Sequence, residues 1–246
     1  MVSQRLDMAL VSQGLAPTRA RAQSLIQEGL VEIDGEPARK PSQKVSDSAL
    51  LTLSSDEKQW VGRGALKLIK ALDHFHIDPK GKVAADIGAS TGGFCEVLLE
   101  RDVQKIYAVD VGHDQLHPTI MSDPRVINME GVNAKTLSAD VIPEPLDLIV
   151  SDVSFISLEK ALPAALSLCK SGAYLAALIK PQFEVGRENI AKGGIVKNPE
   201  IAAAAAKRIE DWINGLEGWS SLGVTPSPIK GGDGNTEFLI GARYER

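Results

Sequence analysis

The run Ala85-Asp86-Ile87-Gly88-Ala89-Ser90-Thr91-Gly92-Gly93-Phe94 carries the densest chemistry in this chain. Apolar residues up to Ile87 suit a strand, the glycines let backbone pass close to a ligand, and a helix opening near Phe94 turns its first N–H groups toward that ligand. The next apolar segment ends at Asp110, about one helix and one strand later. A carboxylate there sits at the edge of the adjacent strand and can accept hydrogen bonds from both hydroxyls of a ribose. The run lacks G-x-G-x-x-G and G-x-x-x-x-G-K-[ST], which counts against a dinucleotide and against a phosphate loop. Asp86 would repel a pyrophosphate but suits a cofactor with a positive amino or sulfonium end. S-adenosylmethionine fits that description, with Asp86, Gly88, Ser90, Gly92, Gly93, Phe94 and Asp110 as its candidate contacts.

Other reactive residue types read more plainly. The chain has only two cysteines, Cys95 and Cys169, without C-x-x-C pairing, so neither a zinc site nor a disulfide framework is expected. Cys95 is expected as small core filler beside the glycine loop. His113 and His117 stand four apart, but Pro118 follows and no third ligand lies nearby, so they read as loop residues and no metal is expected. Phe94, Phe155 and Phe183 can line a cofactor or substrate site, although most aromatics in such a chain belong to the core.

The elements that would position these groups change character near residue 55. Leu6, Ala9 and Leu10 recur at helical spacing, Gly14 and Pro17 interrupt, and Thr18 can cap a second helix carrying Ala22, Leu25 and Ile26 up to Gly29. Val31 and Ile33 alternate with acids before the Asp34–Gly35 turn, and 49–53 is a further extended segment. The polar stretch 54–59 reads as a linker. Beyond it, strand candidates Val83–Ile87, Ile106–Val109, Leu146–Val150 and Tyr174–Ile179 are separated by stretches long enough for helices, the pattern of a parallel sheet covered on both faces. Two last candidates, around Ser220–Val224 and Thr236–Tyr244, are joined by a Pro- and Gly-rich connection too short for a crossover helix and should pair antiparallel. A covering helix is expected from Ala202 through Ile209.

Composition limits the functions available. With 27 Lys plus Arg against 32 Asp plus Glu the formal net charge is −5, which excludes nucleic-acid binding by bulk positive charge. Local placement differs: Lys58, Arg63, Lys67 and Lys70 occur in a stretch with no acid. The apolar run 173–179 is far too short to span a bilayer, and the amino terminus does not read as a secretion signal, so a cytoplasmic protein is expected.

Five motifs together resemble the TlyA family, haemolysin-named proteins similar to FtsJ-type ribosomal RNA ribose methyltransferases. They are 86–94, Gly62-Arg63-Gly64-Ala65-Leu66-Lys67-Leu68, Ser151-Asp152-Val153-Ser154-Phe155-Ile156-Ser157-Leu158, Ile179-Lys180-Pro181-Gln182-Phe183-Glu184-Val185-Gly186 and Gly234-Asn235-Thr236-Glu237-Phe238. The opening residues, including Arg5-Leu6-Asp7, Gly14, Arg19, Ala22, Gly29, Gly35 and Lys40-Pro41, are similar to the S4 RNA-binding domain. The resemblance implies a small α+β S4-like domain over 1–55, a linker at 56–62 and an α/β, Rossmann-like methyltransferase sheet over 63–246 with an antiparallel last strand. It also implies S-adenosylmethionine as cofactor, ribosomal RNA or a ribosomal subunit as partner, no membrane, and a catalytic Lys-Asp-Lys-Glu tetrad at Lys67, Asp152, Lys180 and Glu237.

Each tetrad position has its own rationale. Asp152 and Lys180 follow strand candidates and should project at the carboxyl edge of the sheet, beside the glycine loop. Glu237 begins the last strand, and Lys67 shares a helix face with Lys70 and His74, opposite Ala65, Leu68, Ile69 and Leu72. A ribose 2'-hydroxyl is a poor nucleophile, so methyl transfer needs a base, alignment or both, and Lys180 is the expected base. Arg5, Arg19, Arg21, Lys40, Lys44, Arg63 and Lys70 are the candidate RNA contacts. Two rival readings are a non-catalytic ribosome-assembly factor and a membrane-lytic protein; the intact tetrad opposes the first, and the lack of a strongly amphipathic cationic segment opposes the second.

Overall fold

The computed structural model describes residues 3–27, 29–38, 40–46, 48–53, 60–231 and 234–246. The chain divides into two compact units, Met1–Gln59 and Trp60–Arg246.

The first unit is a small α+β fold. Strand β1 (Ser3–Arg5) leads into α1 (Leu6–Ser12), and α2 (Arg19–Gln27) precedes β2 (Val31–Ile33), β3 (Glu36–Pro37), β4 (Lys44–Ser46) and β5 (Leu51–Leu53). The helical spacing buries Leu6, Ala9 and Leu10 of α1 against Ala22, Leu25 and Ile26 of α2, with Val31, Val45 and Leu51 closing the core. Thr18 Oγ1 accepts the Arg21 N–H, as a cap should. Asp34 and Gly35 both have positive φ, 54° and 84°, which closes the two-residue hairpin between Ile33 and Glu36. Strands β1 and β4, which pair antiparallel, are too short to show in the sequence pattern.

The second unit holds a seven-stranded sheet, formed by β6 (Val83–Ile87), β7 (Lys105–Asp110), β8 (Val126–Glu130), β9 (Leu146–Ser151), β10 (Cys169–Ile179), β11 (Trp219–Pro226) and β12 (Phe238–Tyr244), in the order β11-β12-β10-β9-β6-β7-β8. From β10 to β8 every pairing is parallel, while β12 runs antiparallel to both β10 and β11. All five residues of β6 are buried because both sheet faces are covered. Successive side chains divide between them. Ala84, Ala108, Leu148, Val150 and Leu178 meet α3 (Gly64–His74) and α4 (Gly93–Glu100), whereas Ala85, Ile87, Val109, Ile149 and Ile179 meet α5 (Pro199–Gly215) and the short turns before β10.

Three boundaries differ from the sequence reading. Edge strand β8 was not expected, because only Val126 and Met129 of its five residues are buried. The crossover before β10 is broken by Pro163 into two single turns, Leu158–Ala161 and Pro163–Leu166. Trp60, Val61 and Gly62, assigned to a linker over 56–62, belong to the second unit: Trp60 and Val61 pack on its core, and the Val61 N–H donates to Glu96 Oε2 at 2.7 Å. The rest of that linker, 56–59, lies outside the described residues. Among the described residues, no helix is long and apolar enough to cross a membrane.

Candidate active site

The glycine loop is held by the strand beside it. Gly88 and Ala89 donate their N–H groups to Val109 O at 2.8 and 3.1 Å, which draws the chain leaving β6 across the end of β7. Asp110 accepts the Ser90 N–H at Oδ2 (2.9 Å) and the Gly112 N–H at Oδ1 (2.7 Å). Those bonds stabilise Ser90 at φ +47°, a costly conformation for a side-chain-bearing residue. Gly88 has φ +89°, and a Cβ there would stand 3.0 Å from Asp152 O, so the turn needs glycine on both counts.

A cavity of 410 Å³ opens over this turn, lined by Gly88, Ser90, Asp110 and Asp152 with apolar walls that include Val111 and Phe155. A second cavity of 240 Å³ shares Gly88, Ser90, Asp152 and Ser154 with the first and adds Arg63, Gly93, Phe94 and Lys180. Five of the seven expected cofactor residues therefore line this double cleft. Gly92 does not: its Cα faces Leu116 and Ile120, and a Cβ would lie 2.9 Å from Leu116 Cδ1.

Asp86 is the other departure. It is fully buried, accepts the Cys95 thiol at 3.1 Å on Oδ2, and leaves Oδ1 without a partner. Its expected meeting with the cofactor's positive end is replaced, in this structure, by a place beneath the loop. Burial pushes its carboxyl up to about 7, against the pull of the Cys95 hydrogen bond, with the negative charges of Asp152 and Asp110 adding to the rise. Cys95 is buried as expected and in addition supplies that hydrogen bond. An acid whose folded pKa is raised contributes fully below its unfolded value, and the contribution is lost as pH rises through about 7. The stability of the wild type relative to Asp86→Asn should thus fall by about 4 kcal/mol between pH 4 and pH 8. Urea unfolding of both proteins across that range checks this; parallel curves would refute it.

The tetrad candidates sit at the ends of three neighbouring strands and on α3. Asp152 follows β9, Lys180 follows β10, and Glu237 precedes β12, one step beyond the Ile179–Phe238 register pair. Lys180 Nζ lies 2.7 Å from Asp152 Oδ1 and donates to Ser154 Oγ at 2.7 Å. Lys67 Nζ donates to Glu237 Oε2 at 2.7 Å. The expected placement of Lys67 beside exposed Lys70 does not hold: Lys67 is 8% exposed and Glu237 3%. The carboxylate draws the ammonium inward, and Lys67 takes its place among the buried residues of α3. The structure thus forms two lysine–acid pairs. Lys180–Asp152 lines the smaller cavity; Lys67–Glu237 is not among its lining residues. Gly64, one turn before Lys67, connects them: a Cβ built on it would be 3.5 Å from Asp152 Oδ2.

Two contributors, Ser154 and Asn235, carry no signal of their own in the sequence. Ser154 anchors Lys180, and only the β9–β10 register reveals that. Asn235, 1% exposed, accepts the Val196 N–H and donates to Gly194 O, fixing a loop beside Glu237. Phe155, a candidate lining residue in the sequence, is 91% exposed at φ +64°, its ring 5.1 Å from that of Phe183, and it lines the larger cavity.

The candidate RNA contacts divide. Arg63 and Lys70 are exposed on the second unit, and Arg63 lines the smaller cavity. On the first unit Lys40 and Lys44 are exposed and Arg21 is half-buried. Arg5 and Arg19, expected as simple phosphate contacts, are both paired to the fully buried Asp7. His117 accepts the Thr119 N–H at the start of a short helical turn, and among the described residues no group of three or more His, Cys, Asp or Glu side chains could hold a metal ion.

Comparison with known proteins agrees with this architecture. Residues 60–244 match the model of the FtsJ-like methyltransferases, and residues 4–51 that of the S4 domain. The 16S/23S rRNA (cytidine-2'-O)-methyltransferase TlyA of Mycobacterium tuberculosis is 44% identical, over 98% of this chain and 90% of its own. Hemolysin A of Brachyspira hyodysenteriae is 37% identical, over 96% and 98%. The solved structure of a hemolysin-named protein from Streptococcus thermophilus superposes with a TM-score of 0.76 at 38% identity, covering 100% of this chain and 90% of that one.

Proposed function

Since the chain belongs to the TlyA family of FtsJ-like methyltransferases, we propose that it methylates a ribose 2'-hydroxyl of ribosomal RNA, using S-adenosylmethionine and the residues at the β9, β10 and β12 strand ends. The observation that carries this reading is Lys180, paired with Asp152 and hydrogen-bonded to Ser154 on the wall of a cavity that shares Gly88, Ser90, Asp152 and Ser154 with the larger glycine-loop cleft.

The cleft suits the cofactor. Its 410 Å³ lies within the range of small-molecule sites, its walls are largely apolar, and Asp110 stands at the β7 edge, where it can also receive ribose hydroxyls. Bound there, the cofactor would supply an electrophilic methyl on a sulfonium. The chain's own residues have the remaining work. The hydroxyl oxygen must form its bond to the methyl carbon as the carbon–sulfur bond breaks, and the hydroxyl proton must leave; Lys180, entering the step as the neutral amine after releasing its own proton to solvent, is the group in position to accept it. Asp152 and Ser154 fix the amine's direction. Lys67 and Glu237 hold α3 against β12, and with α3 the stretch Gly62–Gly64 that walls the smaller cavity. No covalent enzyme intermediate is required.

Phe155 supports a substrate with a flat, apolar face. An exposed aromatic held in a left-handed conformation beside Ser154 can stack on a nucleobase. Replacing it with alanine should weaken RNA use by about tenfold, because base stacking contributes about 1–3 kcal/mol, with a smaller loss of cofactor affinity because the ring also walls the larger cavity. Steady-state methylation set beside cofactor titration measures both.

Incubation of the pure protein with ribosomal subunits, deproteinised ribosomal RNA and labelled cofactor, followed by mapping of ribose methylation, tests the activity. Failure to methylate either substrate would remove the reading.

A further inference from the structure

Asp7 is a carboxylate with no exposed surface, and its partners are all cations or amides reaching in from the protein's exterior. Arg5 donates Nε–H to Oδ1 and Nη2–H to Oδ2, each at 2.9 Å; Arg19 Nε–H and Gln23 Nε2–H reach the same Oδ2 at 2.9 and 2.8 Å. Arg19 and Gln23 stand one turn apart on α2, so one helix face supplies both. The hydrogen bonds from Arg5, first among the causes, hold the Asp7 carboxyl far below the usual carboxylate range.

The arginines are not consumed by this arrangement. Their side chains remain 39% and 55% exposed. An arginine has five N–H donors; Arg5 gives two to Asp7 and Arg19 one. Two more cations share the neighbourhood. Lys44 is the register partner of Arg5 across the β1–β4 ladder, and the segment before it lies along α1 through Leu6 N–H to Gln43 O and Asp7 N–H to Pro41 O. Lys44 and Lys40 are both exposed. Two guanidiniums repel each other, and a surface that merely collected charge would let them diverge. A buried acid that binds both at one oxygen holds them side by side, with their remaining donors making no hydrogen bond among the described residues.

We infer that Asp7 is a positioning residue that assembles Arg5 and Arg19 into a rigid fork for a backbone phosphate of RNA, with Lys40 and Lys44 flanking it. The fork matches the planar, two-pronged geometry with which guanidinium groups bind phosphate oxygens, which a lysine, as a point charge, cannot reproduce. The identity of the RNA as ribosomal rests on the proposed function; the fork itself does not.

The test uses the full chain and deproteinised ribosomal RNA in filter binding at several salt concentrations. Arg5→Lys/Arg19→Lys keeps every positive charge and the ion pairs to Asp7 but removes the fork, and affinity should fall about tenfold. The slope of log affinity against log salt should shrink by about 1 for each phosphate that the variant no longer engages. Asp7→Asn gives a prediction of opposite sign to simple electrostatics: deleting a negative charge should tighten RNA binding if the arginines act as point charges, and weaken it if Asp7 orients them. Thermal melting of each variant reports on folding, and if Asp7→Asn does not fold, the double lysine variant decides alone. Unchanged affinity and slope in that variant, or a wild-type chain that does not bind the RNA, would overturn the fork; Asp7 would then only pin α1 to α2. A wild-type chain that binds the RNA without methylating it removes the enzymatic reading and leaves the fork standing.

Discussion

Lys180→Ala should lower methyl transfer to ribosomal RNA by about a thousandfold, the middle of the range for loss of a positioned proton acceptor, without unfolding the protein. The side chain stands at a strand end on a cavity wall, so truncating it removes little packing. Lys180→Arg sharpens the result. Arginine retains the positive charge and can still pair with Asp152, but it does not give up its proton, so a base requirement leaves this variant as inactive as the alanine one. Single-turnover methylation with saturating cofactor is the measurement. Near-normal turnover by Lys180→Arg would assign the residue to electrostatic alignment, and near-normal turnover by Lys180→Ala would remove it from the chemistry.

The second large effect is on stability. Lys67→Met should destabilise the second unit by about 3–5 kcal/mol, because Glu237, 3% exposed, is left as a buried charge without its counter-ion. The carboxylate is packed closely on its other side, where a Cβ built on Gly231 would stand within van der Waals overlap of Glu237 Oε1. Adding Glu237→Met should restore most of the loss, as apolar replacements of buried ion pairs commonly do. Urea denaturation of the two single variants and the double variant gives the coupling directly. The double variant separates roles: folded but slow, it would show that the pair sets the geometry of the smaller cavity; folded and fast, it would show a purely structural pair.

Much of the fold was legible because its determinants are local. The four parallel strand candidates were found because both faces of the sheet are covered and their apolar runs are continuous. The antiparallel end followed from the short connection between β11 and β12. Strand β8 escapes the pattern for the complementary reason: Asn128 and Glu130 are polar and Ile127 is exposed, so three of its five positions are not buried. Trp60 and Val61 were read as linker because the sequence does not say which apolar residues near a boundary have a surface to cover.

The site divides in the same way. Residue types and their order along the chain mark the glycine loop and Asp110 as candidates, because strand ends and tight turns are written over a few neighbouring residues, whereas the four tetrad candidates come from the family resemblance. Partnership was not written there. That Lys67 turns inward to Glu237, 170 residues away, that Lys180 is held by Ser154, that Asp86 lies sealed beneath the loop, and that Arg5 and Arg19 converge on Asp7 follow only from strand register and helix packing. The physical reason is the reach of the forces. Backbone propensity and amphipathic period act over a turn or a strand, whereas burial and charge pairing depend on which distant segments the folded chain brings within hydrogen-bonding distance.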